Sequence, residues 1–135
     1  MSALQLKLIV PGQQPIERSV DELTLVGTDG LFTVLPNHCA LLGRLRPGTA
    51  RIAVGGREET MALGAGVCEV GDNQVTVLAE RLVEWGDVDV EKANAQLGEA
   101  QAALAALDGP GDEDWSLAEE NLAWAEAVAT IAKSH

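Results

Sequence analysis

Aromatic side chains are nearly missing from this chain of 135 residues, which has no Tyr, one Phe (Phe32) and three Trp (Trp85, Trp115, Trp124). Any core must therefore be aliphatic. Cysteine is as sparse. Cys39 and Cys68 are the only two, and neither belongs to a Cys-x-x-Cys pair. That excludes a disulfide framework and the usual zinc spacings, and two buried free thiols are expected. No apolar run approaches about 20 residues, so no membrane-crossing helix is expected. The N-terminus lacks the charged segment and apolar stretch of a secretory signal, which fits a reducing compartment. Cations are also few: nine Lys and Arg stand against 21 Asp and Glu, for a net charge of −12. Such a surface repels phosphate backbones and anionic headgroups, so neither nucleic acid nor direct insertion into a membrane is expected.

What is present is aliphatic and unevenly charged. Apolar residues make up 47% of the chain, enough to fold rather than stay disordered. From Asp87 onward there are eleven acids against Lys92 and Lys133, whereas the first 86 residues hold ten acids and seven bases.

Residues 27–48 organise the first part. Turn signals at Asp29-Gly30, Pro36-Asn37 and Pro47-Gly48 bracket two apolar runs of strand length, 31–35 and 40–45. Period-two alternation recurs on both sides, with Leu4, Leu6, Leu8 and Val10 in the first run. Further strands are expected at 16–20, 23–26, 50–54, 58–63, 67–70, 74–79 and 82–85. Gly55-Gly56 suits a two-residue hairpin that needs positive φ twice, and Gly71-Asp72-Asn73 marks another turn. Gly64-Ala65-Gly66 reads as a tight bend or bulge. About ten short strands with turns every ~8–12 residues point to an all-β sandwich or barrel over residues 1–86.

Residues 87–135 change character, and the spacing predicts an α-helical hairpin. Val90, Ala93, Leu97, Ala100, Leu104 and Leu107 recur at intervals of three and four, a seam on one helix face. Asp87 or Asp89 can cap its start, and Asp108-Gly109-Pro110 stops it. Ser116 and Glu119 fit a capping box for a second helix, whose seam is Trp115, Ala118, Leu122, Ala125, Ala129 and Ala132. Alanine seams bury little area, so the hairpin should depend on an outside surface. A bulkier stripe of Leu117, Trp124, Val128 and Ile131 is expected to pack on the sandwich, the alternative being a partner.

His38 and Cys39 look most like chemistry. In extended chain, neighbouring side chains point to opposite faces, and no third carboxylate stands nearby to orient a base. A turn could bring the two together, but a catalytic pair is not expected. His38, Cys39, Cys68 and His135 have no recognised zinc spacing, so no metal site is expected. No glycine cluster forms a phosphate-binding loop, and no cofactor is implied.

The run Gly30-Leu31-Phe32-Thr33-Val34-Leu35-Pro36-Asn37-His38-Cys39-Ala40-Leu41-Leu42, followed by Arg46-Pro47-Gly48, resembles the epsilon subunits of F-type ATP synthases. The Gly-rich segment 63–70 and the strand 73–80 fit the same family, and its plan of a β-sandwich followed by an Ala-rich helical hairpin covers the chain. Phe32-Thr33 stand where the family more often has Leu-Gly, and Cys39-Ala40 where it more often has Ala-Pro. Residues 88–93 resemble the hairpin's opening motif, with Lys92 in place of the usual Arg.

The resemblance implies a rotor subunit of the central stalk without an active site. It would couple proton flow through the c ring to ATP synthesis on the catalytic head, and the hairpin could regulate hydrolysis. Its partners would be the gamma subunit and the c ring, with a further contact to the head through the hairpin. Carried over by position, Asp29, Gly30 and Leu31 would face the c ring, and His38, Leu41 and Leu42 would face gamma. The subunit would sit peripherally on the cytoplasmic face of the bacterial inner membrane. The alternative is an ATP-sensing regulatory module, with Asp89 and Lys92 as candidate nucleotide-binding residues. The second helix has no arginine to support that reading, and the acidic hairpin would repel acidic side chains on the head.

Overall fold

A single sheet of ten strands runs β10-β7-β6-β3-β5-β8-β9-β1-β2, with β4 paired to β3 beside this path. The computed structural model describes residues 4–37 and 40–133. The strands are β1 (Leu4–Ile9), β2 (Ile16–Val20), β3 (Glu22–Gly27), β4 (Gly30–Val34), β5 (Leu41–Leu45), β6 (Gly48–Val54), β7 (Arg57–Leu63), β8 (Gly66–Gly71), β9 (Gln74–Ala79) and β10 (Leu82–Glu84). One turn of 3-10 helix spans Trp85–Asp87 and leads to α1 (Val90–Ala105) and α2 (Trp115–Lys133).

The sheet curls into a sandwich because alternate residues bury one face. Leu4, Leu6 and Leu8 of β1 lie inside with Leu23 and Leu25 of β3, Ile52 of β6, and Val75 and Val77 of β9. Each such side chain contributes about 1.5–3 kcal/mol by leaving water. The core is aliphatic, as expected, with Phe32 packed against its edge. Arg18 closes the curl. It sits on β2, the last strand of the order, and donates to Glu59 of β7, the second strand, through Nη1 at 3.0 Å and Nη2 at 2.8 Å. The Asp21 N–H adds a bond to the Ala53 carbonyl at 2.8 Å.

The turns follow their local chemistry. Gly55 and Gly56 have φ of 56° and 79°, and Asp72 and Asn73 have φ of 52° and 60°. All four sit at the centres of two-residue hairpins, where the left-handed region matches strand twist. Pro47 forms a bend rather than a hydrogen-bonded turn, and β6 already begins at Gly48. The bend at Gly64-Ala65-Gly66 depends on its last glycine. A Cβ on Gly66 would lie 1.8 Å from the Leu78 carbonyl oxygen of the neighbouring strand.

The two helices lie side by side, and α2 seats the pair on the outer face of β6 and β7. Ala62, on the opposite face of β7 from the core residues Met61 and Leu63, is wholly buried beneath Ala127, Val128 and Ile131. Val128, Ile131 and the flank of Trp124 thus pack on the sandwich as expected, but Leu117 does not, being 59% exposed. Val90 also leaves the proposed seam, at 49% exposure. The Ser116 capping box is a correction. Helix α2 begins at Trp115, Ala118 N–H already bonds the Asp114 carbonyl, and Asp112 Oδ1 accepts from Asp114 N–H at 2.9 Å. The acidic turn ahead of Ser116 starts the helix first, so Ser116 lies inside it.

Candidate docking surfaces

The turn proposed for the c ring is the tip of the β3–β4 hairpin. Gly27 pairs with Gly30, leaving Thr28 and Asp29 at the apex. Gly30 has φ of 124°, a conformation that disfavours any side chain. Asp29 and Gly30 are exposed, and Leu31 is 72% exposed. These three residues form one projecting, mostly uncharged point with a single carboxylate.

Leu41 and Leu42 open β5, paired with Val70 and Glu69 of β8. Leu42 is 75% exposed, far above what a core residue would show. His38 and Cys39 lie outside the described residues, so the thiol–imidazole pair and the His38 contact are not part of the described surface. His135 lies outside them as well. Cys68, the other thiol, is fully buried, and desolvation pushes its pKa up to about 11. It stays protonated at neutral pH and is not a nucleophile.

A larger surface escaped the sequence reading. On the outer face of β5, β8, β9 and β1, register places Arg44 beside Val67, Val67 beside Leu78, and Leu78 beside Ile9. The next row is polar: Glu69, Thr76 and Lys7. Outward positions therefore turn apolar at one common end of three strands. Ile9, Pro11, Val67 and Leu78 line a shallow apolar hollow of ≈ 330 Å³ there. The available signal was Ile9 and Leu78 at outward positions of strands whose other outward residues, Lys7 and Thr76, are polar. Without the parallel pairing of β1 and β9, nothing aligned them.

Asp89 and Lys92 stand at the exposed start of α1. Asp89 Oδ1 accepts from the Lys92 backbone N–H at 3.2 Å, so the carboxylate serves as the helix cap. A groove of the hairpin lies elsewhere. It measures ≈ 440 Å³ and opens between Gln96 and Ala100 of α1 and Asn121 and Trp124 of α2, with Arg81 at its wall.

These observations can be set against known proteins. The family described as "ATP synthase, Delta/Epsilon chain, beta-sandwich domain" matches residues 3–85. The ATP synthase epsilon chain of Geobacter sulfurreducens is 38% identical over 119 residues, covering 88% of this chain and 86% of that one. The chain belongs to the ATP synthase epsilon chain family. The epsilon chain of Anaeromyxobacter dehalogenans is 35% identical over 130 residues, covering 96% of this chain and 98% of its own length, so the likeness extends through the hairpin. Among solved structures, a chain of the Euglena gracilis mitochondrial ATP synthase superposes with a TM-score of 0.79 at 23% identity, covering 100% of this chain and 83% of that one. A chain from the central stalk and c ring of the Tetrahymena thermophila enzyme gives 0.59 at 15% identity, covering 97% and 95%. At those identities the likeness is one of fold. As a member of that family, the protein is an ATP synthase epsilon chain. None of its described helices is long and apolar enough to cross a membrane.

Proposed function

We propose that this epsilon chain works as a non-catalytic coupling element of the rotor, held between the gamma subunit and the c ring. Torque from proton flow passes through the sandwich to gamma and so to the catalytic head. The observation that carries this reading is the aligned apolar end of the outer sheet, Ile9, Val67 and Leu78, flanked on β5 by Arg44, with the exposed Leu42 one row away beside Glu69. Exposed aliphatic side chains at one end of several adjacent strands are costly for a monomer and suit a protein neighbour. The gamma contact is assigned to this face together with Leu41, Leu42 and His38. The c-ring contact is assigned to Asp29, Gly30 and Leu31 at the tip of the β3–β4 hairpin.

The unit is peripheral, attached on the cytoplasmic face of the bacterial inner membrane through its partners. The capping role of Asp89 supports structure rather than nucleotide recognition at Asp89 and Lys92. The hairpin, seated on β6 and β7, is in this posture a brace on the sandwich and does not reach for the head.

The test reverses one charge at the tip. In membrane vesicles carrying the complete synthase, Asp29→Lys should lower ATP-driven proton pumping relative to ATP hydrolysis, with the subunit still assembled. Unchanged pumping per ATP hydrolysed would remove the tip from the ring contact.

A further inference from the structure

The apolar end of the outer sheet holds one charge. Ile9, Pro11, Ala65, Val67 and Leu78 line the hollow, and among the described residues its only ionisable lining side chain is Glu80. Strand alternation puts it there. Leu78 points outward, Ala79 is buried, and Glu80 points outward again, exposed and two residues beyond Leu78. The Glu80 N–H donates to the Ala65 carbonyl at 2.9 Å, one further bond at the end of the β8–β9 ladder, so the position is fixed.

Among the described residues, nothing neutralises this carboxylate. The one ion pair there is Arg18–Glu59. Arg81, next in sequence, is turned away onto Trp124 and Asn121 of α2. Arg44 ends the apolar row beyond Val67, two strands from β9. A wholly apolar cover over the hollow would strip water from Glu80 and leave a charge without a partner, which is strongly unfavourable. The topology narrows the mode of contact as well. Strand β8 lies between β5 and β9, and β9 lies between β8 and β1, so neither has an edge for an added strand. An occupant of the hollow meets side chains only.

We propose that the hollow takes an apolar patch of the gamma subunit that carries one Lys or Arg, and that Glu80 pairs with this cation and selects it. The inference rests on the gamma-docking reading above and names the chemistry of the counterpart. Contact with Ile9, Val67 and Leu78 supplies the apolar area. The carboxylate fixes the orientation and rejects neutral or acidic surfaces. It also rejects a second copy of this chain. A twofold contact through the hollow would set Glu80 close to its own copy, between two molecules of net charge −12. Anionic lipid is excluded on the same ground.

The test is titration of the full chain with the purified gamma subunit of the same synthase. Glu80→Gln, which keeps the shape and removes the charge, should weaken binding by at least about tenfold, and Glu80→Lys should weaken it further. Glu58→Lys, the same change of charge at an exposed position of β7, should stay within about threefold of wild type. Wild-type binding should fall more steeply with salt than binding by Glu80→Gln. Urea midpoints should match wild type, because the exposed Glu80 side chain has no partner within the described chain to lose. Wild-type affinity in both Glu80 variants, with Leu78→Glu still weakened, would overturn the cation partner and leave the docking reading intact. Wild-type affinity in Leu78→Glu as well would overturn both. Equal weakening by Glu80→Lys and Glu58→Lys would reduce the effect to net charge and overturn Glu80 as the selecting residue. Self-association of the chain alone that Leu78→Glu abolishes would give the hollow to a second copy and overturn the choice of occupant.

Discussion

The Arg81 guanidinium lies over the indole of Trp124, 4.7 Å from the ring centroid. It also donates through Nη2 to Asn121 Oδ1 at 3.3 Å, one helical turn earlier on α2. Arg81 belongs to the link between β9 and β10, so one side chain clasps the sandwich to the second helix. Gly64 leaves the room for its stem, because a Cβ there would come within 2.9 Å of Arg81 Cγ. Replacing Arg81 with Ala should loosen α2 by about 1 kcal/mol, the worth of a partly exposed cation–π contact. Hydrogen exchange would read this as amides of α2 opening about fivefold faster while β1 and β9 stay unchanged.

Gly66 makes a harsher demand. The Leu78 carbonyl oxygen stands where a Cβ would be, and that oxygen belongs to backbone that cannot swing aside. Gly66→Ala should cost about 3 kcal/mol or more in chemical denaturation. Gly43→Ala, with nothing within 4 Å of its would-be Cβ, should cost less than about 1 kcal/mol.

The apolar end of the outer sheet separates binding from folding. Leu78 is 45% exposed, so Leu78→Glu should change stability by less than about 1 kcal/mol. The same substitution should weaken association with gamma by at least about tenfold, measured by titration of the purified subunits. Leu42→Glu should act in the same direction. Wild-type affinity in both variants would move the gamma contact off this face.

The Arg18–Glu59 pair makes a pH-dependent contribution. The Arg18 hydrogen bonds hold the Glu59 carboxyl below its usual range. A depressed folded-state pKa stabilises the fold above the unfolded value, about 4.3 for Glu, and that contribution fades as pH falls through the folded value. Because the two side chains are 30% and 37% exposed, the pair is worth only a few tenths of a kcal/mol. Glu59→Gln should therefore lower the urea midpoint slightly at pH 7 and match wild type near pH 3.

Much of this architecture was legible beforehand because it is encoded locally. The alternation of Leu4, Leu6 and Leu8, the paired glycines at 55 and 56, and the three-and-four spacing through α2 each act over a few residues. In each case the period of the pattern or the φ of the turn is dictated by neighbours along the chain. The start of α2 was misplaced for a local reason too: two overlapping cap signals compete there, and the acidic turn at Asp112 and Asp114 wins over Ser116. Of the candidate site, the hairpin tip was legible as a turn. The apolar row of Ile9, Val67 and Leu78 was not, because only the pairing of β9 with β1 and β8 brings the three residues side by side.

The amino-acid sequence by itself thus determined which segments are strands and helices, where the tight turns fall, and that the helical part must lean on something else. Only the tertiary structure decided the parallel pairing of β1 with β9, the closure of the curl by Arg18 across 41 residues, and the seat of α2 on Ala62. The physical reason is range. Backbone preference and periodicity are set by near neighbours, whereas pairing partners are chosen by the burial and hydrogen bonding of the whole assembled sheet.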